Sequence, residues 1–258
     1  MSLIDLTGKV ALVTGGSRGI GAATARMLAA AGAEVAITYR SRHADAESVA
    51  DSITGQRPAS PPLVLQADLS QLDDCTRVVT ETTNQFHRLD IFVANAAIWP
   101  SDDESVVEMS PERWSDTLRT NLDSVFYGTK AALGIMEAGG RVVIISSTAG
   151  QRGEAFHADY AASKGAIISF VKSVCIEAAP RGITVNAVAP GWVDTEMSAE
   201  PYRADDGKGR ALIEQRIPLW RVASSEEIAG PIVFLCSGLA SGMTGEIVNV
   251  NGGSVLCG

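Results

Sequence analysis

Residues 9–14, Lys-Val-Ala-Leu-Val-Thr, run directly into Gly15-Gly-Ser-Arg-Gly-Ile-Gly21, and an alanine-rich stretch then continues to about Ala31 and stops at Gly32. The apolar run reads as a short buried parallel strand and the alanine-rich stretch as a helix. Strand, glycine turn and helix in that order open a parallel α/β sheet and give the glycine spacing a meaning it lacks alone. Gly15 makes the sharp turn, Gly19 lets backbone approach a pyrophosphate, and Gly21 lets the helix lie close to the strand, with helix N–H groups aimed at phosphate. The spacing is G-x-x-x-G-x-G, where the commoner fingerprint is G-x-G-x-x-G.

The rest of the chain keeps the alternation. Strands are expected near 34–39, 63–67, 89–94, 141–146, 183–188 and 246–250, and helices near 44–54, 70–86, 111–137, 158–179 and 225–236. Such alternation predicts one α/β domain over residues 1–258, a doubly wound parallel sheet with helices on both faces. At 258 residues it would bury roughly 70 to 75% of its unfolded surface. The proline-rich stretch Gly55 to Pro62 reads as a surface loop, and no internal repeat is visible. Ligands of such sheets bind beyond the carboxyl ends of the strands, where strand order reverses. Gly15, Tyr39, Asp68, Asn95, Ser147 and Pro190 all follow predicted strand ends, so they are expected to converge on one crevice.

Tyr160 and Lys164 lie four residues apart in an alanine-rich segment, and Ser147 precedes the tyrosine by thirteen. On a helix that spacing projects phenol and ammonium from one face. A free tyrosine has a pKa of about 10, and a fixed cation nearby would lower it, making a proton donor and acceptor for neutral pH. An ordinary solvated Tyr/Lys helix face has the same spacing, so the pair alone decides nothing.

The glycine turn, the Ser147, Tyr160 and Lys164 set, and further landmarks stand in register: Asp68-Leu69, Asn95-Ala96, Asn121 in Thr-Asn-Leu-Asp, and Pro190-Gly-Trp-Val-Asp-Thr195. From Lys9 to Gly253 the chain resembles the classical short-chain dehydrogenase/reductase family. It departs from the family's N-N-A-G at Ala94-Asn-Ala-Ala97, which leaves the roles of Ala94 and Ala97 open. The resemblance implies a nicotinamide cofactor held by Gly15, Ser17, Arg18, Gly19, Ile20, Gly21, Tyr39, Arg40, Asp68, Leu69, Asn95, Ala96, Tyr160, Lys164, Pro190, Gly191, Val193 and Thr195. It implies hydride transfer to or from a carbonyl or carbinol carbon, with Tyr160 moving the proton, Ser147 holding the substrate oxygen and Lys164 bonding the nicotinamide ribose. Asn121 would hold a water linking Lys164 to solvent, or would be a structural amide at a helix kink. Ser146 should point away from Ser147.

A carboxylate at the tip of the second strand would favour NAD; here Tyr39 and Arg40 stand there, with Arg18 in the turn and Arg42 nearby. Two guanidinium groups suit a 2′-phosphate, so NADP(H) is expected over NAD(H). Pocket walls are expected from 98–104, 150–157 and 192–217, with Trp99, Trp192, Phe156 and Met197 as apolar surface and His157 as a ligand contact or a solvated loop residue. The overall look is closest to 3-oxoacyl-carrier-protein reductases, implying a small-molecule or carrier-bound carbonyl or alcohol substrate, with Arg152 and Arg181 as part of a docking patch. A polyol or sugar dehydrogenase is the alternative, and a non-catalytic NADP(H)-binding sensor a further one.

The net charge of −9 leaves no basic stripe for nucleic acid. No apolar run approaches the roughly 18 to 20 residues of a membrane span, and Met1-Ser-Leu-Ile-Asp lacks a signal core, so a cytoplasmic protein is expected. Cys75, Cys175, Cys236 and Cys257 are dispersed and suggest neither metal nor disulfides. Helices 111–137 and 158–179 carry more apolar residues than one sheet face needs, and the resemblance implies a homotetramer built on them and on strand 246–250. Residues 193–217, with two glycines, a proline and many charges, are expected to form a mobile substrate lid without order of their own.

Overall fold

The computed structural model describes residues 3–55 and 60–256. In chain order its elements are β1 (Val10–Val13), α1 (Gly19–Ala30), β2 (Glu34–Tyr39), α2 (His43–Thr54), β3 (Leu63–Gln66), α3 (Leu72–Phe86), β4 (Ile91–Ala94), α4 (Pro111–Leu118) and α5 (Ser124–Ile135). There follow β5 (Arg141–Ile145), α6 (Thr148–Arg152), α7 (Ala158–Ala178), β6 (Thr184–Pro190), α8 (Ala199–Gly207), α9 (Gly209–Glu214), α10 (Ser225–Cys236) and β7 (Ile247–Val250). Among the described residues the strands form one parallel sheet in the order β3-β2-β1-β4-β5-β6-β7.

Strands β1, β4 and β6 are buried along their whole length, which is why β1 and β4 read as unbroken apolar runs with no alternation. One face is covered by α1, α2 and α10 through Leu28, Val49 and Ile232, the other by α3, α5 and α7 through Val78, Ala132 and Ile167. Strand order reverses between β1 and β4, so a crevice opens above their carboxyl ends.

Two elements differ from expectation. The helix expected over 111–137 is divided into α4 and α5 by a π-helical turn, Arg119–Asp123, and continuous helix ends at Ile135. The wide turn turns the Asn121 amide out of the ladder to bond the Ile98 backbone twice, accepting from its N–H at 2.8 Å and donating to its carbonyl at 2.9 Å. Residues 193–217, expected without order of their own, form α8 and α9. Their charges are paired: Arg210 bridges Asp194 and Glu214 at 2.8 and 3.0 Å, and the Tyr202 hydroxyl donates to the Val193 carbonyl at 2.9 Å. The glycine-rich composition shows instead as a break inside α8, with Asp205 and Asp206 at φ of 52° and 55°.

Of the four cysteines, Cys75, Cys175 and Cys236 are buried free thiols, while Cys257 lies outside the described residues, as does the middle of the proline-rich stretch, 56–59. No helix among the described residues is long and apolar enough to cross a membrane.

Candidate active site

The glycine turn is shaped by neighbours as much as by its own residues. Gly15 sits at φ +63°, donates its N–H to the Thr38 hydroxyl at 3.1 Å, and is followed by Gly16 donating to the Thr38 carbonyl at 2.9 Å. A Cβ on Gly21 would collide with the Gly15 carbonyl, so α1 reaches this close to β1 only through glycine. No side chain caps α1 at Arg18, which leaves its first amides directed at the crevice for an anion. Asn95, expected at the cofactor, ties the turn together: its side-chain N–H donates to the Thr14 and Gly15 carbonyls at 2.8 and 3.2 Å. The Thr14 hydroxyl in turn accepts from the Asn95 and Ala96 amides at 2.9 and 3.1 Å. Thr38 and Thr14 were legible only as strand residues, because their work is done on backbone across the sheet.

Every residue expected at the cofactor lines one crevice: Gly15, Ser17, Arg18, Gly19, Ile20 and Gly21 from the turn, Tyr39 and Arg40 after β2, Asp68 and Leu69 after β3, and Asn95 and Ala96 after β4. Pro190, Gly191, Val193 and Thr195 after β6 close it, with Ser147, Tyr160 and Lys164 on the far wall. Arg18 and Arg40 have no ion-pair partner among the described residues, whereas Arg42 is paired with Asp45 at 3.2 Å. A cradle that a side chain would fill, uncapped helix amides and two unpaired guanidiniums fit a phosphorylated dinucleotide.

Ser147 ends the loop after β5 and caps α6, its hydroxyl accepting the Ala149 N–H at 3.1 Å. A Cβ on Gly150 would collide with the Lys164 backbone, so α6 and α7 cross at a distance that sets Ser147 and the Tyr160 phenol on one wall of the crevice, near enough to act on each other. Lys164 is 3% exposed, donates to the Ile145 carbonyl at 2.8 Å, and lies 5.8 Å from the Tyr160 ring centroid. Ser146, as expected, works elsewhere, donating to the Lys164 carbonyl at 2.8 Å. Burial lowers Lys164 to about 8. Burial also pushes Tyr160 up to about 12, with the Ser147 hydrogen bond pulling down and the Glu154 charge pushing up. Among the protein's own groups, the cost of burying a phenolate therefore outweighs the lowering expected from Lys164, an ammonium that is itself desolvated.

Asn121 is fully buried outside the crevice lining, between Ile98 and Ser163, to whose hydroxyl it donates at 3.2 Å. Beyond Tyr160 the wall is made by Trp99, Arg152, Glu154, Trp192 and Met197. Phe156, expected there, points to solvent at φ +66°. His157 is neither a solvated loop residue nor part of the lining: it is 4% exposed and stacks on Trp99. Arg181 is no free docking cation, since its guanidinium donates to the Leu133 and Met136 carbonyls and closes the end of α5.

A family model described as enoyl-(acyl carrier protein) reductase matches residues 15–254. A 3-oxoacyl-[acyl-carrier-protein] reductase from Synechocystis sp. is 40% identical over 256 residues, 97% of this chain and 98% of the relative. A short-chain dehydrogenase/reductase from Serratia marcescens superposes with a TM-score of 0.89 at 36% identity, covering 96% of this chain and 98% of that one. The chain is a short-chain dehydrogenase/reductase. As such it is an NAD(P)-dependent oxidoreductase acting between C=O and CH–OH. Another member, from Burkholderia cenocepacia and solved in complex with NADP, superposes with a TM-score of 0.89 at 33% identity over 96% of this chain and 98% of that one.

Proposed function

We propose that this short-chain dehydrogenase/reductase is an NADPH-dependent ketone reductase, taking small ketones or 3-oxoacyl thioesters. The observation that carries the reading is the convergence of Ser147, Tyr160 and Lys164 at one end of the dinucleotide crevice, with the Lys164 ammonium 5.8 Å from the Tyr160 ring centroid. When bound, the nicotinamide supplies the hydride. Ser147 holds the substrate oxygen, and Tyr160 gives it a proton. A protonated phenol beside Ser147 can act as the acid of ketone reduction, and the reductase relatives set the polyol or sugar dehydrogenase reading second. An intact Ser147, Tyr160 and Lys164 set is more than a nucleotide sensor needs.

Arg18 and Arg40, unpaired at the adenosine end, supply the preference for NADP(H). Asp68 stands there for the adenine, and Lys164 for the nicotinamide ribose. Asn121 positions the Ile98 backbone and, through Ser163, the start of α7, and would hold its water from there. Buried free thiols suit the cytoplasm.

Tyr160→Phe is expected to lose at least about two orders of magnitude in NADPH-dependent ketone reduction, the scale of a positioned acid. NADPH binding, followed by nucleotide fluorescence, should be retained. Turnover near wild type in this variant would overturn the reading.

A further inference from the structure

The wall beside Tyr160 has features the dinucleotide does not use. Trp99 and Trp192 meet edge to face with centroids 6.1 Å apart, and the buried His157 stacks on Trp99 at 4.6 Å and 14°. Trp99 is thus held on both sides, and it lines the crevice beside Glu154, near enough to act on the carboxylate. Glu154 is half-buried, lines the crevice, and lies near enough to Tyr160 for its charge to act on the phenol.

An ionised carboxylate has about four acceptor sites. Among the described residues no cation makes an ion pair with Glu154; Arg152 and His157 influence it only at longer range. A half-buried acceptor gains from a donor on the ligand and is penalised by a second acceptor. Around it the indole faces offer apolar surface for a short carbon skeleton. A 3-oxoacyl thioester presents carbonyl oxygens on both sides of the reacting carbon's neighbour and no donor, so its second carbonyl would face the Glu154 lone pairs. A hydroxyl at the same place would donate to them.

We infer that Glu154 is a specificity-determining acceptor, selecting small ketones that carry a hydroxyl one or two carbons from the carbonyl over 3-oxoacyl thioesters. The inference rests on the ketone-reductase reading above. It assigns Glu154 a ligand contact and Trp99 and His157 the positioning of that contact.

The test is kcat/KM with NADPH for hydroxyacetone, for butanone, in which a methyl replaces the hydroxyl, and for the acetoacetyl thioester of N-acetylcysteamine. Wild type should prefer hydroxyacetone to butanone by at least tenfold. In Glu154→Ala that ratio should fall at least tenfold, with NADPH binding measured alongside to show that the variant is folded. Glu154→Gln, which keeps one acceptor oxygen at similar volume, should give an intermediate ratio and serves if the alanine variant fails to fold. A wild-type ratio near one, a ratio unchanged in both variants, or a wild-type preference for the thioester would each overturn the inference while leaving the reductase reading standing. Reduction of none of the three by wild type would overturn both.

Discussion

Lys164 sits in surroundings that oppose its charge. Nearly all of the side chain is out of water, and one backbone carbonyl, that of Ile145, receives its ammonium. Its folded pKa, lowered to about 8, lies below the roughly 10.4 of an unfolded lysine, so the unfolded chain holds this proton more tightly. The group therefore favours the fold most above about pH 10.4, and that contribution is lost as pH falls through 8. The penalty at neutral pH is on the order of 3 kcal/mol, offset in part by the hydrogen bond. Lys164→Met is accordingly expected to raise the melting temperature by a few degrees at pH 7, with a smaller gain at pH 9.5, while ketone reduction falls about a hundredfold or more. A melting temperature lower than wild type at both pH values would contradict this account. The one-turn spacing of Tyr160 and Lys164 was legible in the sequence; the direction in which their pKa values move was not, because it depends on β5 and α6 closing over them.

At the scale of elements, the end of β2 decides the cofactor. Tyr39, Arg40 and the turn residue Arg18 line the crevice with no carboxylate among the β2-tip residues. Replacing Tyr39 with Asp and Arg40 with Ala would set a carboxylate against the 2′-phosphate and remove a counter-charge. The ratio of kcat/KM for NADPH over NADH should invert in that double variant; a wild type faster with NADH at equal concentration would refute the assignment. The second element is the α8 and α9 pair, a lid in our reading. It is tied to the crevice at Val193 and Asp194 through Tyr202 and Arg210, and it breaks at Asp205 and Asp206. Surface ion pairs of this kind contribute little, so the lid is expected to open readily and to close over substrate. Hydrogen exchange over 195–215 should slow when NADP and a turned-over ketone or alcohol are added together. Equal exchange in both states would mean a rigid wall.

At the scale of the whole molecule, the outer faces of α5 and α7 leave Phe126 47% and Ile176 73% exposed, with Phe126 meeting Phe170 edge to face. At the other end of the sheet β7 is an edge strand of half-buried residues. Apolar helix faces and an unprotected edge are surfaces that association covers. Light scattering at micromolar concentration should give a tetramer, with a dimer as the smaller closed form. Phe126→Asp should shift the distribution to smaller species; wild type found only as monomer would refute the assembly.

What the sequence determined by itself is what near neighbours control. Apolar runs broken by glycines set the strands and the turn before α1, and a four-residue interval set Tyr160 above Lys164, because helical and extended periodicities are local. Tertiary structure decided the rest. The π-turn at Asn121 exists because Ile98 meets that amide, and Arg181 is bound because the end of α5 presents it with carbonyls. His157 is buried because Trp99 lies across it, and α8 and α9 are tied down where Tyr202 meets the Val193 carbonyl and Arg210 meets Asp194. The solvation of Tyr160 belongs to the same class: its phenol lies on the crevice wall beside Ser147 and Glu154, and the energy of its charge there is a property of that wall and of no single stretch of chain.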